Sequence, residues 1–150
     1  MLGYWKDEKS TAAVLRHGYY FTGDLGYEDE DGCIFLTGRA RDIIKTGGNR
    51  VSAKEIEDRV AEIREVAEVA VIGVPDEILG EAVKVFIVAQ DGSLTEQRVR
   101  AHLQRRLASF KQPKFIDLVD SLPKNQAGKI LKSVLREAEM SGVAAKLSPR

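Results

Sequence analysis

The stretch LPKNQAGKILK, residues 122–132, sets Lys129 directly after Gly128, between a proline and an apolar helical pattern. An ammonium group there can act electrostatically on an anion, or it can be a surface residue that opens the last predicted helix. A cation in a first helical turn faces the positive end of the macrodipole, at a cost of roughly 0.3–1 kcal/mol when exposed. The position therefore asks what needs the charge. A phosphate-cradling P-loop is not the answer, because that pattern requires glycine where this chain has Pro123 and serine or threonine where it has Ile130. His17, His102 and Cys33 are isolated and lack metal-ligand spacing, so no bound metal is expected. No serine or cysteine nucleophile stands in a pattern with a histidine base.

Composition bounds the rest. A chain of 150 residues, 43% hydrophobic, can build one ordinary domain, or a small domain plus a piece of another. The 23 basic and 23 acidic residues cancel, which removes the bulk electrostatic case for nucleic acid or a membrane surface as partner. They are unevenly spread. Nine acidic residues face three basic ones between Lys54 and Glu81, whereas ten basic residues face only Asp117 and Asp120 between Arg98 and Arg136. The second stretch suits an anionic ligand, or forms a solvated basic face. The lone Cys33, followed by Ile34, Phe35 and Leu36, is expected to be a buried thiol in a reducing cytosol. No apolar run approaches membrane-spanning length and no signal-peptide pattern appears, so a cytoplasmic protein is expected. The opening MLGYWKDEKS reads as the middle of a fold.

The elements that must position these residues follow from periodicity. Residues 7–15 read as a short helix, and YYFTGDLGYEDEDGCIFLTGR as strand, acidic turn at Asp31-Gly32, strand: a β-hairpin. DIIKTGGNRVS reads as an apolar strand broken by Gly47-Gly48. Ser52 and Glu55 then form a capping box for a helix carrying Ile56, Val60 and Ile63. VAEVAVIGVP and EAVKVFIVAQ are paired strands turning at Gly80. Thr95 caps a helix with Val99, Leu103 and Leu107 on one stripe, Pro113 precedes a strand FIDLV, and Leu131, Val134, Leu135 and Ala138 mark an amphipathic last helix. The expected fold class is α+β, a small central sheet of about three strands with packed helices, preceded by a hairpin that belongs to a different unit. Expected boundaries are 1–40 for the hairpin unit, 41–140 for the domain and 141–150 for a fraying tail.

YYFTGD (19–24), GRARDIIKTGGNRVSAKEIE (38–57) and LPKNQAGKI (122–130), in that order and spacing, resemble the closing part of the adenylate-forming enzymes. That superfamily includes acyl-CoA synthetases, luciferases and peptide-synthetase adenylation domains. The resemblance runs from about Leu2 to Arg136. It implies that residues 1–40 end a large N-terminal AMP-binding domain and that 41–140 form its C-terminal lid. It also implies the chemistry: a carboxylate attacks the α-phosphate of ATP, and a thiol then captures the acyl-adenylate. Asp24 is similar to the residue that binds the nucleotide ribose, where two carboxylate oxygens suit neighbouring hydroxyls. Arg39 looks like the arginine that also reaches the ribose.

Arg41 occupies the hinge position, where relatives carry aspartate or lysine, so arginine is a departure. Gly47 and Gly48 resemble the loop that borders the pantetheine tunnel, with bare backbone admitting a thin ligand. Arg50 and Lys45 are candidate partners for CoA phosphates, with ordinary surface charge as the alternative; Glu55 and Glu57 are expected to cap and ion-pair. Lys129 sits where the family's C-terminal lysine meets the carboxylate and the α-phosphate, aimed by a tight loop at Gly128. Asn125 and Ala127 stand where threonine and serine are frequent, a variation that leans toward fatty and dicarboxylic acyl-CoA ligases.

The implied function is the C-terminal domain of an AMP-forming acyl-CoA synthetase, an acid-thiol ligase that uses ATP with Mg2+, CoA and a small-molecule carboxylic acid. Its implied partner is the N-terminal domain of the same chain, and these residues alone are expected to be inactive. Two alternatives stand beside it: an adenylating enzyme that loads a carrier protein, and a non-catalytic interaction module using the basic face around Arg105 and Arg106. No residue here is expected to line the acyl pocket, so the acid is not legible.

Overall fold

The computed structural model describes residues 1–141; the tail expected at 141–150 lies, from residue 142, outside the described residues. The chain divides into two compact units, Met1–Arg41 and one that begins at Asp42.

In the first unit, helix α1 (Glu8–Val14) starts at Asp7, whose carboxylate accepts from the Ser10 N–H at 2.9 Å. Two short strands, β1 (Leu15–Arg16) and β2 (Tyr19–Tyr20), pair around His17-Gly18, both at positive φ. The expected hairpin is formed by β3 (Asp24–Glu28) and β4 (Ile34–Arg39), with Asp24 opposite Arg39 and Glu28 opposite Ile34. Asp29 closes its turn by accepting from the N–H groups of Asp31 and Cys33 at 3.1 and 2.8 Å. Cys33 is exposed, contrary to the expected buried thiol, as are Ile34, Phe35 and Leu36. No residue of this unit is buried. The physical reason is that a two-stranded ribbon has two faces and the unit supplies no layer to cover either.

The second unit is built around a five-stranded sheet, where about three strands were expected. β5 (Ile43–Thr46) and β6 (Asn49–Ser52) are antiparallel, joined by Gly47-Gly48 at φ 54° and 80°. Two consecutive positive φ values are what a two-residue hairpin turn demands, so the expected break in one strand is a turn between two. Ser52 then accepts from the Glu55 N–H at 3.4 Å and opens α2 (Ala53–Ala61). β7 (Val66–Asp76) and β8 (Gly80–Ala89) form the long antiparallel ladder, with Val66 opposite Ala89 and Asp76 opposite Gly80. α3 (Glu96–Gln104), capped by Thr95, carries the chain over to β9 (Phe115–Leu118), which lies parallel to β8. α4 (Lys132–Met140) follows.

Both faces of the ladder are covered, which explains why β7 and β8 read as continuous apolar runs. Val71, Val83 and Val85 pack with Ile56 and Val60 of α2 and Val99 and Leu103 of α3. On the opposite face Ala70, Ile72 and Phe86 pack with Val119, Leu122 and Leu135. Of the stripe expected on α4, Leu135 is buried but Val134 is exposed. Glu139 of the same helix is half-buried, and its carboxylate accepts from Lys84 Nζ at 2.7 Å; Asp117 holds the same ammonium at 2.9 Å. Desolvation disfavours that charge, but the two carboxylates outweigh it and raise the Lys84 pKa above its ordinary value. No described helix is long and apolar enough to cross a membrane.

The β7–β8 turn has a pH signature. Asp76, with a side chain 6% exposed, accepts from Lys114 Nζ at 2.5 Å and from the Leu79 and Ile78 N–H groups at 2.9 and 3.0 Å. These bonds hold its carboxyl at about 2, below the usual 3.8. A depressed pKa stabilises the fold above the unfolded value and is lost as pH falls through the folded one. Asp76→Asn should therefore flatten the fall of the urea midpoint between pH 3.8 and about 2. Parallel acid limbs for variant and parent would refute this role.

Candidate functional site

The Lys129 loop is organised by Asn125, a residue noted in the sequence only as a departure from threonine. Its Oδ1 accepts from the N–H groups of Ala127 and Lys129 at 3.0 and 2.9 Å, and its own N–H donates to the Lys129 carbonyl at 3.0 Å. Gly128, at φ 76°, makes the reversal that lets these bonds close. The loop is pinned at its base by the Lys124–Ile130 bridge and by the Leu131 N–H, which donates to the Pro123 carbonyl at 2.8 Å. Lys129 is exposed, and its ammonium makes no hydrogen bond or ion pair among the described residues. It does not lie in the helix, since α4 begins at Lys132 with Leu131 as its cap. The expected dipole penalty therefore falls on Lys132, and a 2.7 Å ion pair with Glu57 offsets it.

Gly47 and Gly48 sit elsewhere on the same unit. The Gly47 N–H donates to the Leu79 carbonyl at 3.0 Å, and a Cβ built on Gly48 would meet nothing within 4 Å. Beside this open turn Lys45 and Arg50 lie directly opposite each other across β5 and β6, both exposed. Like charges in register repel, so an anion placed there would relieve a cost already present.

The two features are far apart. Lys124, at the root of the lysine loop, pairs with Glu68 near the start of β7 at 2.5 Å, while the glycine turn is bonded to Leu79, beyond the strand's end at Asp76. At ~3.4 Å per residue, the eight steps from Glu68 to Asp76 span about 27 Å. One ladder thus carries a free ammonium at one end and bare backbone with two cations at the other.

In the first unit, the register of β3 and β4 brings Asp24 and Arg39 together, with Arg39 Nε 2.9 Å from Asp24 Oδ1. The bond uses one oxygen and one nitrogen. The rest of the carboxylate and of the guanidinium fork remains available to a ligand. Arg41 lies exposed in a 3-10 turn, Ala40–Asp42.

Glu55 and Glu57 ion-pair, with Lys111 at 2.6 Å and Lys132 at 2.7 Å. Sequence reasoning did not foresee these partners, which are 56 and 75 positions away by number (111 − 55; 132 − 57). A concavity of about 450 Å³ lies between the ends of α2 and α3, lined by Glu62, Glu65, Arg98, His102, Arg105 and Arg106. Glu62 is held by Arg59 and Arg106, each at 2.6 Å, and by His102 at 3.2 Å. These bonds, that from Arg59 foremost, keep its carboxyl below the usual range. Arg98 is matched by Glu65 at 2.7 Å. Much of the basic face around Arg105 and Arg106 is thereby neutralised from within. Among the described residues no group of three or more His, Cys, Asp or Glu is placed to hold a metal ion.

Residues 55–129 match the model of the AMP-binding enzyme C-terminal domain family. The chain is 46% identical, over 93% of its length and 25% of the relative's, to a long-chain-fatty-acid–CoA ligase of Yersinia pestis. It spans about a quarter of the length of the curated relatives it matches. Among solved structures, ATP-bound MatB from Rhodopseudomonas palustris superposes with a TM-score of 0.83 at 40% identity, over 94% of this chain and 28% of that one. The amide bond synthetase McbA from Marinactinospora thermotolerans superposes with a TM-score of 0.79 at 38% identity, over 90% of this chain and 28% of that one.

Proposed function

We propose, because this chain belongs to the AMP-binding enzyme C-terminal domain family, that it forms the C-terminal quarter of an ATP-dependent, AMP-forming acyl-CoA synthetase. The observation that carries the reading is the opposed placement of two features on one small unit: Lys129, unpaired among the described residues, at one end of the β7–β8 ladder, and the open Gly47-Gly48 turn with Lys45 and Arg50 at the other. A two-step reaction at a single site can use them in turn. In the first step a carboxylate oxygen attacks the α-phosphate of ATP and pyrophosphate leaves. Lys129 meets the charge that grows on those oxygens, and Mg2+ arrives with ATP as part of the substrate. In the second, the CoA thiol displaces AMP from the acyl carbon while its pantetheine passes the glycine turn and its phosphates meet Arg50 and Lys45.

Asp24 and Arg39 bind the ribose in this reading, and Arg41 is the pivot between the end of the N-terminal domain, residues 1–40, and the lid. The boundary between the two compact units after Arg41 supports that pivot. The uncovered apolar hairpin supports an N-terminal domain as its partner. Capture of the adenylate by a carrier thiol or an amine is the second reading, favoured by the likeness to an amide bond synthetase.

A chimera tests the proposal. This chain, put in place of the matching C-terminal quarter of the Yersinia relative, should restore acyl-CoA formation with one AMP released per product, while the truncated ligase and this chain alone make none. A chimera that folds yet forms no acyl-adenylate would reject the assignment, and one that forms the adenylate but transfers it only to an amine or a carrier would select the second reading.

A further inference from the structure

Four charged side chains meet where the larger unit begins. Asp42 accepts from Arg136 Nη2 through Oδ1 at 2.8 Å, and its Oδ2 is 3.8 Å from Lys132 Nζ. Lys132 is also 2.7 Å from Glu57 Oε1, which in turn accepts the Val71 N–H of β7 at 2.8 Å. Asp42, Glu57 and Lys132 are 15–19% exposed at their side chains, so solvent and salt screen them far less than a surface pair. Two acids and two bases alternate, and the cluster is neutral.

Its place in the chain gives it a use. Asp42 is the residue after Arg41, Lys132 lies three residues after Lys129, and Arg136 is 94 positions from the aspartate it holds. We infer that Asp42, Arg136, Lys132 and Glu57 form a clasp that makes any rotation at Arg41 carry the Lys129 loop with it; this rests on the reading of Arg41 as pivot and Lys129 as the adenylating cation. These are positioning residues. A hinge concentrates its backbone change in a few residues at an element boundary. If Asp42 were free, the change would spread into β5 and blur the position of the loop. The Gly47-Gly48 turn is held separately, by the Leu79 carbonyl and by the pairing of Thr46 with Gly80. Loosening the clasp should therefore tell on lysine delivery and leave the turn alone.

Amide exchange in this chain tests the clasp without reference to catalysis. Arg136→Met should speed exchange at residues 42–44 and 129–134 by about tenfold or more while amides of β7 and β8 keep their protection. Unchanged exchange at both segments would overturn the clasp. In the chimeric ligase, Arg136→Met should lower acyl-adenylate formation about tenfold and leave thioester formation from supplied adenylate within about twofold. Arg136→Lys should recover most of the loss. Equal damage to both half-reactions, or no recovery by Arg136→Lys, would also overturn it. Undiminished adenylation in Lys129→Ala would instead sink the functional reading, and the exchange result would still decide whether the clasp exists.

Discussion

Replacing Lys129 by alanine in the chimeric ligase should lower acyl-adenylate formation by about 10²- to 10³-fold, the range for removing one fixed donor from a site of developing negative charge. ATP–pyrophosphate exchange reads this step. Thioester formation from a supplied acyl-adenylate should stay within a few-fold of the parent, because the lysine loop and the glycine turn stand at opposite ends of the ladder. The substitution costs the fold little: Lys129 is exposed and, among the described residues, its side chain makes no hydrogen bond or ion pair. The loop geometry depends instead on Asn125 and Gly128, which the variant leaves intact. Lys129→Arg keeps the charge but moves it outward on a larger planar group, so partial activity is expected. Loss of both half-reactions to the same degree would disprove the division of labour.

The mirror experiment is Gly48→Asn, expected to lower thioester formation about 10²-fold while adenylation is spared; a misplacement of ~1 Å in a reacting group can cost that much. Asparagine is the informative choice because it tolerates positive φ, so the turn should survive at φ 80°. Among the described residues the added Cβ meets nothing within 4 Å, so a fall in activity would report what the side chain meets from outside them. Thermal unfolding of the variant within a few degrees of the parent would show that the fold is kept. Thioester formation at the parental rate would remove the turn from the CoA path. Substitution of Lys45 and Arg50 together should raise the KM for CoA and leave that for dephospho-CoA less affected, if their register serves a phosphate.

Local chemistry carried much of the fold into the sequence. Ser52 and Thr95 cap the helices they were expected to cap, and the buried stripes Ile56–Val60 and Val99–Leu103 follow from helical spacing. The Asp31-Gly32 turn and the pairing of β7 with β8 were equally plain, since turn residues and β-branched runs act within a few positions. What failed was whatever depended on a neighbouring layer. Cys33 and its apolar followers are exposed because nothing in their unit covers the ribbon, and on α4 Leu135 finds a covering layer where Val134 does not. Gly47-Gly48 read as an interruption, because only the register of β5 on β6 distinguishes a turn from a break.

The sequence by itself determined the resemblance, through motif order, that nominates Asp24, Arg39, Gly47, Gly48 and Lys129 as candidates without any coordinates. Only the tertiary structure decided their arrangement. It pairs Asp24 with Arg39, frees Lys129 from the helix, sets the glycine turn at the far end of the ladder and gathers Asp42, Glu57, Lys132 and Arg136 into one cluster. The reason is range. Propensity, capping and periodicity act over a few bonds, whereas strand register and ion pairing join residues up to 94 positions apart, whose meeting is set by how the layers pack.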